Sequence, residues 1–120
     1  SVSAATPGAY ITVSNLGTKS TVAAIGTTEA DDVQLATSAD WVTVTGNNGT
    51  TGVGLPAGSI AACVRIMASS PTVTNILKVY AASADDADSI NGTDGDTAYL
   101  QPAGTSLVYC TADGAAWFTY

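Results

Sequence analysis

The sequence predicts an all-β fold, an antiparallel β-sandwich of jelly-roll type formed by one domain over residues 1–120. Three observations point there. Short runs rich in Val, Ile, Thr and aromatic residues are separated by Gly, Pro, Asn and Asp turn signals every 8–12 residues or so. Charged residues are only 11% of the chain, against a usual share of about 25%. Thr, Ser, Asn and Gly fill the polar positions instead, and these favour strands and turns. No segment carries a helical stripe: the best candidate, Val22–Asp31, is interrupted by Gly26, Thr27 and Thr28, all poor helix formers.

Taken in order, Tyr10–Val13 reads as the first strand, closed by the turn Asn15-Leu-Gly17. Thr21–Ile25 and Val33–Leu35 are shorter runs. Trp41–Thr45 alternates Trp, Val, Thr, Val, Thr, and Gly46-Asn-Asn-Gly49 supplies a tight turn after it. Gly52–Leu55 leads into the turn Pro56-Ala-Gly58. In Ala61–Met67, Ala62, Val64 and Ile66 share one face and Cys63, Arg65 and Met67 the other, and the face without the charge should point inward. Ile76–Tyr80 follows, then an acidic, Gly-containing stretch over 81–97 with a short strand at Ser89–Ile90. Ala98–Leu100, Leu107–Cys110 and Trp117–Thr119 finish the chain. The phrases Gly54-Leu-Pro-Ala-Gly58 and Leu100-Gln-Pro-Ala-Gly104 echo one another, and are read as two hairpin turns with shared turn chemistry rather than as a duplicated repeat.

Composition excludes several function classes. Ten acidic residues oppose three bases, Lys19, Arg65 and Lys78, for a net charge of −7. Three scattered bases cannot replace the counterions of a nucleic acid or hold an anionic membrane surface. No run of 18 or more apolar residues is present, so no membrane-spanning helix is expected. No basic segment leads into an apolar one, so no signal peptide is expected either; a start at Ser1 is compatible with removal of an initiator Met or of a leader. The chain has no His, which removes the commonest general base and metal ligand. Neither a Ser/His/Asp triad nor a Cys/His pair can be built. Two cysteines cannot make a four-ligand zinc site, and no phosphate-binding Gly-rich motif occurs. No enzymatic activity and no cofactor are expected.

Some residues still invite chemistry. Asp85, Asp86, Asp88, Asp94 and Asp96 cluster in one turn-rich stretch, with the single Glu, Glu29, far off in sequence. Paired carboxylates hydrolyse glycosides and several oxygens bind Ca²⁺, yet solvated loop acids are the expected reading of all five. Asn48-Gly-Thr50 and Asn91-Gly-Thr93 fit the glycosylation sequon but suit tight turns better. Trp41, Trp117, Phe118, Tyr109 and Tyr120 could form a carbohydrate platform, although aromatics on strands are more often core. Cys63 and Cys110 can form one disulfide or remain two buried free thiols. Free thiols are the expected state, while the place of Cys63 beside Arg65 argues against its burial.

Residues 54–117 carry an ordered set of phrases: Leu55-Pro56, then Ile60–Met67, Leu77-Lys-Val-Tyr80, Ser89-Ile-Asn-Gly92, Ala103-Gly-Thr105, Leu107-Val-Tyr-Cys110, Thr111-Ala-Asp-Gly114 and Trp117. This order resembles a β-rich domain of bacteriophage virion proteins, found in capsid decoration (cement) proteins, head fibres and tail-associated fibres. The chain departs from it at Ala81–Ala87, where that family has a short, Pro-containing turn. The resemblance implies a trimeric structural module on the outer capsid surface of a virion, assembled in the host cytoplasm, with the major capsid protein as its partner. Residues 1–50 match no part of that domain and are expected to hold the particle-binding part. The alternative it leaves is a fibre module that binds host-surface glycan.

Overall fold

The computed structural model describes residues 19–36, 40–57, 61–81, 88–94 and 97–120. The expected strand Tyr10–Val13 lies outside them. Among the described residues there is no helix, and eleven strands form. They are β1 (Lys19–Ala23), β2 (Val33–Gln34), β3 (Trp41–Thr45), β4 (Gly52–Gly54), β5 (Ala62–Ala68) and β6 (Leu77–Tyr80), followed by β7 (Ser89–Ile90), β8 (Thr93–Asp94), β9 (Tyr99–Gln101), β10 (Ser106–Thr111) and β11 (Ala116–Thr119). A larger sheet runs β1-β3-β5-β10-β11-β7-β8, and a smaller one β2-β4-β6-β9.

The fold is all-β, as expected, but its pairing is not that of an antiparallel jelly roll. Successive strands from β1 to β6 alternate between the two sheets. Within each sheet they lie parallel: β1 on β3 on β5, and β2 on β4 on β6. Each strand of one sheet thus forms the crossover that a parallel pair in the other requires. The chain winds as a coil of roughly 20–26 residues per turn, within the periods of solenoid proteins. Antiparallel strands end the coil: β9 pairs with β6, β10 with β5, and β11 with β10. The arrangement is β-solenoid-like.

Period-two alternation drives each strand, with one face in the core and one face out. In β3 and β5 the inward residues are Val42, Val44, Val64, Ile66 and Ala68, and parallel register stacks them. Val42 sits beside Ile66, Val44 beside Ala68, and Val53 beside Val79 in the other sheet. Leu35, Leu55, Leu77, Ile90, Tyr109 and Trp117 complete one cluster drawn from both sheets. Complete burial of each large aliphatic side chain stabilises the fold by about 1.5–3 kcal/mol.

The connections are largely corners between sheets. Both Pro-Ala phrases lead from the smaller sheet to the larger, β4 to β5 and β9 to β10. The echo therefore marks two equivalent corners and not two hairpins. Gly46–Gly49 likewise turns from β3 to β4. There Gly49 has φ +94°, and a Cβ would lie 2.9 Å from the Thr74 carbonyl oxygen. The buried Asn47 ties this corner to the next one: its amide donates to Asn75 O at 2.5 Å, and its oxygen accepts from Ser70 N at 3.1 Å. A true hairpin joins β7 to β8 through Asn91-Gly92, both at positive φ, as a type I′ turn requires.

Cys63 and Cys110 are not free. They stand directly opposite each other in the β5–β10 pair and form a disulfide on the outer face of the larger sheet. The expectation of buried thiols fails because alternation turns both side chains outward, and antiparallel register makes them neighbours.

Candidate binding face

Outward positions of the larger sheet form rows across the strands. Register places Lys19 beside Trp41, Trp41 beside Arg65, and Arg65 beside Val108. Tyr120 N donates to Val108 O at 2.9 Å, which extends this row past β10. A neighbouring row holds Cys63, Cys110 and Phe118. The Arg65 guanidinium lies 5.2 Å from the centre of the Trp41 ring, within the reach of a cation–π contact. Arg65 Nη1 also donates to Ser106 Oγ at 3.2 Å. Tyr120 is 77% exposed and Phe118 49%.

Two shallow grooves lie on this face. Asp40, Trp41, Cys63, Arg65 and Val108 line one. Phe118, Tyr120 and the β10–β11 turn with Asp113 line the other. The Asp113 carboxylate accepts from the backbone N–H groups of Ala115 and Ala116 at 2.9 and 3.0 Å. These bonds, with one from the Thr111 hydroxyl, hold its pKa below the usual carboxylate range.

The platform expected from sequence is therefore reassigned. Trp117 and Tyr109 are fully buried and belong to the core, while Trp41, Phe118 and Tyr120 share the outer face. Asp88 is buried and Asp94 exposed; Asp85, Asp86 and Asp96 lie outside the described residues. Among the described residues no group of three or more His, Cys, Asp or Glu could hold a metal ion. Asn48 caps its own corner, its oxygen accepting from Thr50 N and Thr50 Oγ1 at 2.9 and 2.8 Å. Asn91 is bonded through both side-chain atoms to Thr119. Sequence reading missed Lys19, Arg65 and Val108, because alternation turns each outward without saying which strands are neighbours.

A second polar site lies in the loop between β1 and β2. Asp31 Oδ1 accepts from Thr28 N and Thr27 N at 2.8 and 3.0 Å and from the Thr28 hydroxyl, and the Thr28 bonds do most to depress its pKa. Its neighbour Asp32 is half-buried, with Oδ2 enclosed and unbonded. Burial, then the nearby Glu29 and Asp31 charges, push its pKa up to about 7. An unfolded Asp titrates near 3.9, so the folded state holds the Asp32 proton more tightly. Stability contributed by Asp32 is therefore greatest below about pH 4 and falls as pH rises towards 7. The undiscounted shift corresponds to roughly 4 kcal/mol, and solvent access reduces this to about 1–2 kcal/mol. Asp32→Asn is expected to stabilise the protein by that amount at pH 8 and hardly at all at pH 4. Urea unfolding at the two pH values checks this, and an equal effect at both would refute it.

No protein-family model, curated protein or solved structure matches this chain.

Proposed function

We propose that this chain is a non-enzymatic structural module of a virus particle, a capsid decoration protein that binds the major capsid shell as a homotrimer. The observation that carries the reading is the coil and its edges. Strands β9 and β10 pair antiparallel onto the last turn of the coil, and among the described residues β1 and β2 stand at one edge of the two sheets with β8 and β9 at the other. Edge strands present unpaired N–H and C=O groups and need cover, and assembly into a closed ring or on a shell provides it. The phrase order over residues 54–117 adds the phage context. The Cys63–Cys110 bridge suits service on a particle surface outside the reducing cytosol. Binding to the assembled shell but not to its free subunits would strengthen the shell by mass action.

Quantitative mass spectrometry of purified particles, set against the major capsid protein, tests this. Many copies in a simple ratio to the capsid protein are expected; absence from the particle overturns the reading. Light scattering on the isolated protein is expected to return three times the chain mass, and a strict monomer at micromolar concentration would remove the trimer.

A second reading, a fibre module that adheres to host-surface glycan, is favoured by one observation. Trp41, Phe118 and Tyr120 share the outer face of the larger sheet, with Tyr120 and Phe118 open to solvent.

A further inference from the structure

We infer that the outer face of the larger sheet binds an anionic oligosaccharide, a glycan bearing sugar carboxylates, laid across the strands along the row Lys19, Trp41, Arg65, Val108 and Tyr120. This rests on the glycan-binding reading and specifies its ligand.

Charge is the first argument. Only three bases occur in a chain of net charge −7. Two of them, Lys19 and Arg65, flank Trp41 in a single row; the third, Lys78, belongs to β6 in the other sheet. Two of the three bases thus share one aromatic row, with Asp40 lining the groove beside Arg65 and Asp113 the groove beside Tyr120. Arg65 is held there by the Trp41 ring and by Ser106 Oγ. The bond to Ser106 Oγ uses one of the five N–H donors of the guanidinium, whose planar fork matches a carboxylate.

Shape is the second argument. Neighbouring strands lie about 4.8 Å apart, so Trp41 on β3 and Tyr120 beyond β11 are separated by roughly 14 Å. That span suits an extended chain of sugar rings better than a single small anion. The apolar surface between them, Val108 and the disulfide, offers flat contact for the C–H faces of sugars. Asp113 on the rim supplies acceptors for hydroxyl groups. Two cations on the face are too few for a dense polyanion such as nucleic acid, and a second copy of this chain would bring like net charge to it.

The test is titration calorimetry of the full chain with oligogalacturonate and sialyllactose, each beside its neutral counterpart, the reduced galactan oligomer and lactose. At least one anionic glycan is expected to bind about tenfold more tightly than its neutral partner, with affinity falling as salt rises. Arg65→Gln is expected to abolish that preference, and Tyr120→Ala to weaken binding of both members of the pair. Both side chains lie outside the core, and an unchanged far-UV spectrum confirms the fold of each variant. Equal binding of charged and neutral glycans would overturn the anionic specificity and leave the glycan reading standing. No binding to any of the four would overturn both.

Discussion

Reduction of the Cys63–Cys110 disulfide is expected to lower the thermal midpoint by on the order of 10 °C. The bridge closes a loop between residues 47 apart in sequence. In the chain-entropy model a loop of that length restricts the unfolded state by about 4 kcal/mol, at the upper end of the usual 2–4 kcal/mol. For a domain of this size each kcal/mol moves the midpoint by roughly 3–5 °C. The location adds a structural reason. β5 is the last parallel strand of the coil in the larger sheet, and β10 is the first strand of its antiparallel cap. The bridge therefore fastens cap to coil across a strand pair that must form from distant sequence. Cys63 is exposed, so a reductant reaches it in the folded protein. Thermal unfolding with and without dithiothreitol, beside the double variant Cys63→Ala/Cys110→Ala, separates the bridge from other effects of the reagent. The reduced protein and the double variant are expected to unfold together, well below the oxidised protein. Identical midpoints for all three would show that the bridge contributes nothing to stability.

Much of the fold was legible because each strand states its own alternation. Trp41–Thr45 and Ser89–Ile90 have the same bounds in sequence reading and in structure, and the runs near β1, β2, β4, β5, β6, β9, β10 and β11 differ by only a residue or two. The direction of pairing was not legible. A parallel coil and an antiparallel sandwich impose the same period-two pattern on strands with one buried face, and both use Pro, Gly and Asn at the connections. Only the partners of Val42 and Val53, Ile66 and Val79, distinguish the two, and a single strand does not name its partner. β8 was missed because Thr93–Asp94 is exposed and carries no apolar signal; the Asn91-Gly92 turn before it was the available cue.

The binding face was legible only in pieces. Trp41 and Arg65 could each be placed outward from Val42, Val44, Val64 and Ile66 on the opposite faces of their strands. Their contact depends on the parallel β3–β5 register, which brings together positions 24 apart. Trp117 and Tyr120 show the converse. They are close in sequence and equally aromatic, yet one is wholly buried and the other 77% exposed, because they fall on opposite sides of the same alternation.

Gln101 carries the other large expected effect. Its side chain is wholly buried at the end of β9. Its amide donates to Ile66 O at 2.8 Å and Thr105 O at 3.0 Å, and its oxygen accepts from the Tyr109 hydroxyl at 2.8 Å. One residue of the smaller sheet thereby joins β5 and β10 of the larger. Burial, then the neighbouring Tyr99, push the Tyr109 pKa far above its ordinary value, so the hydroxyl stays a donor at any pH the fold tolerates. Gln101→Leu keeps the bulk and removes every polar partner, leaving that hydroxyl buried and unbonded. The expected cost is about 3 kcal/mol, from the lost bonds and the stranded donor together. Tyr109→Phe removes one bond and strands only the amide oxygen, at about 1–2 kcal/mol. The double variant deletes both ends of the bond and strands neither group, so it is expected to cost about 1 kcal/mol less than the two single changes added together. That non-additivity, read from urea unfolding of the four proteins, is the signature of a bonded pair. Strict additivity would mean that Gln101 and Tyr109 act through packing alone.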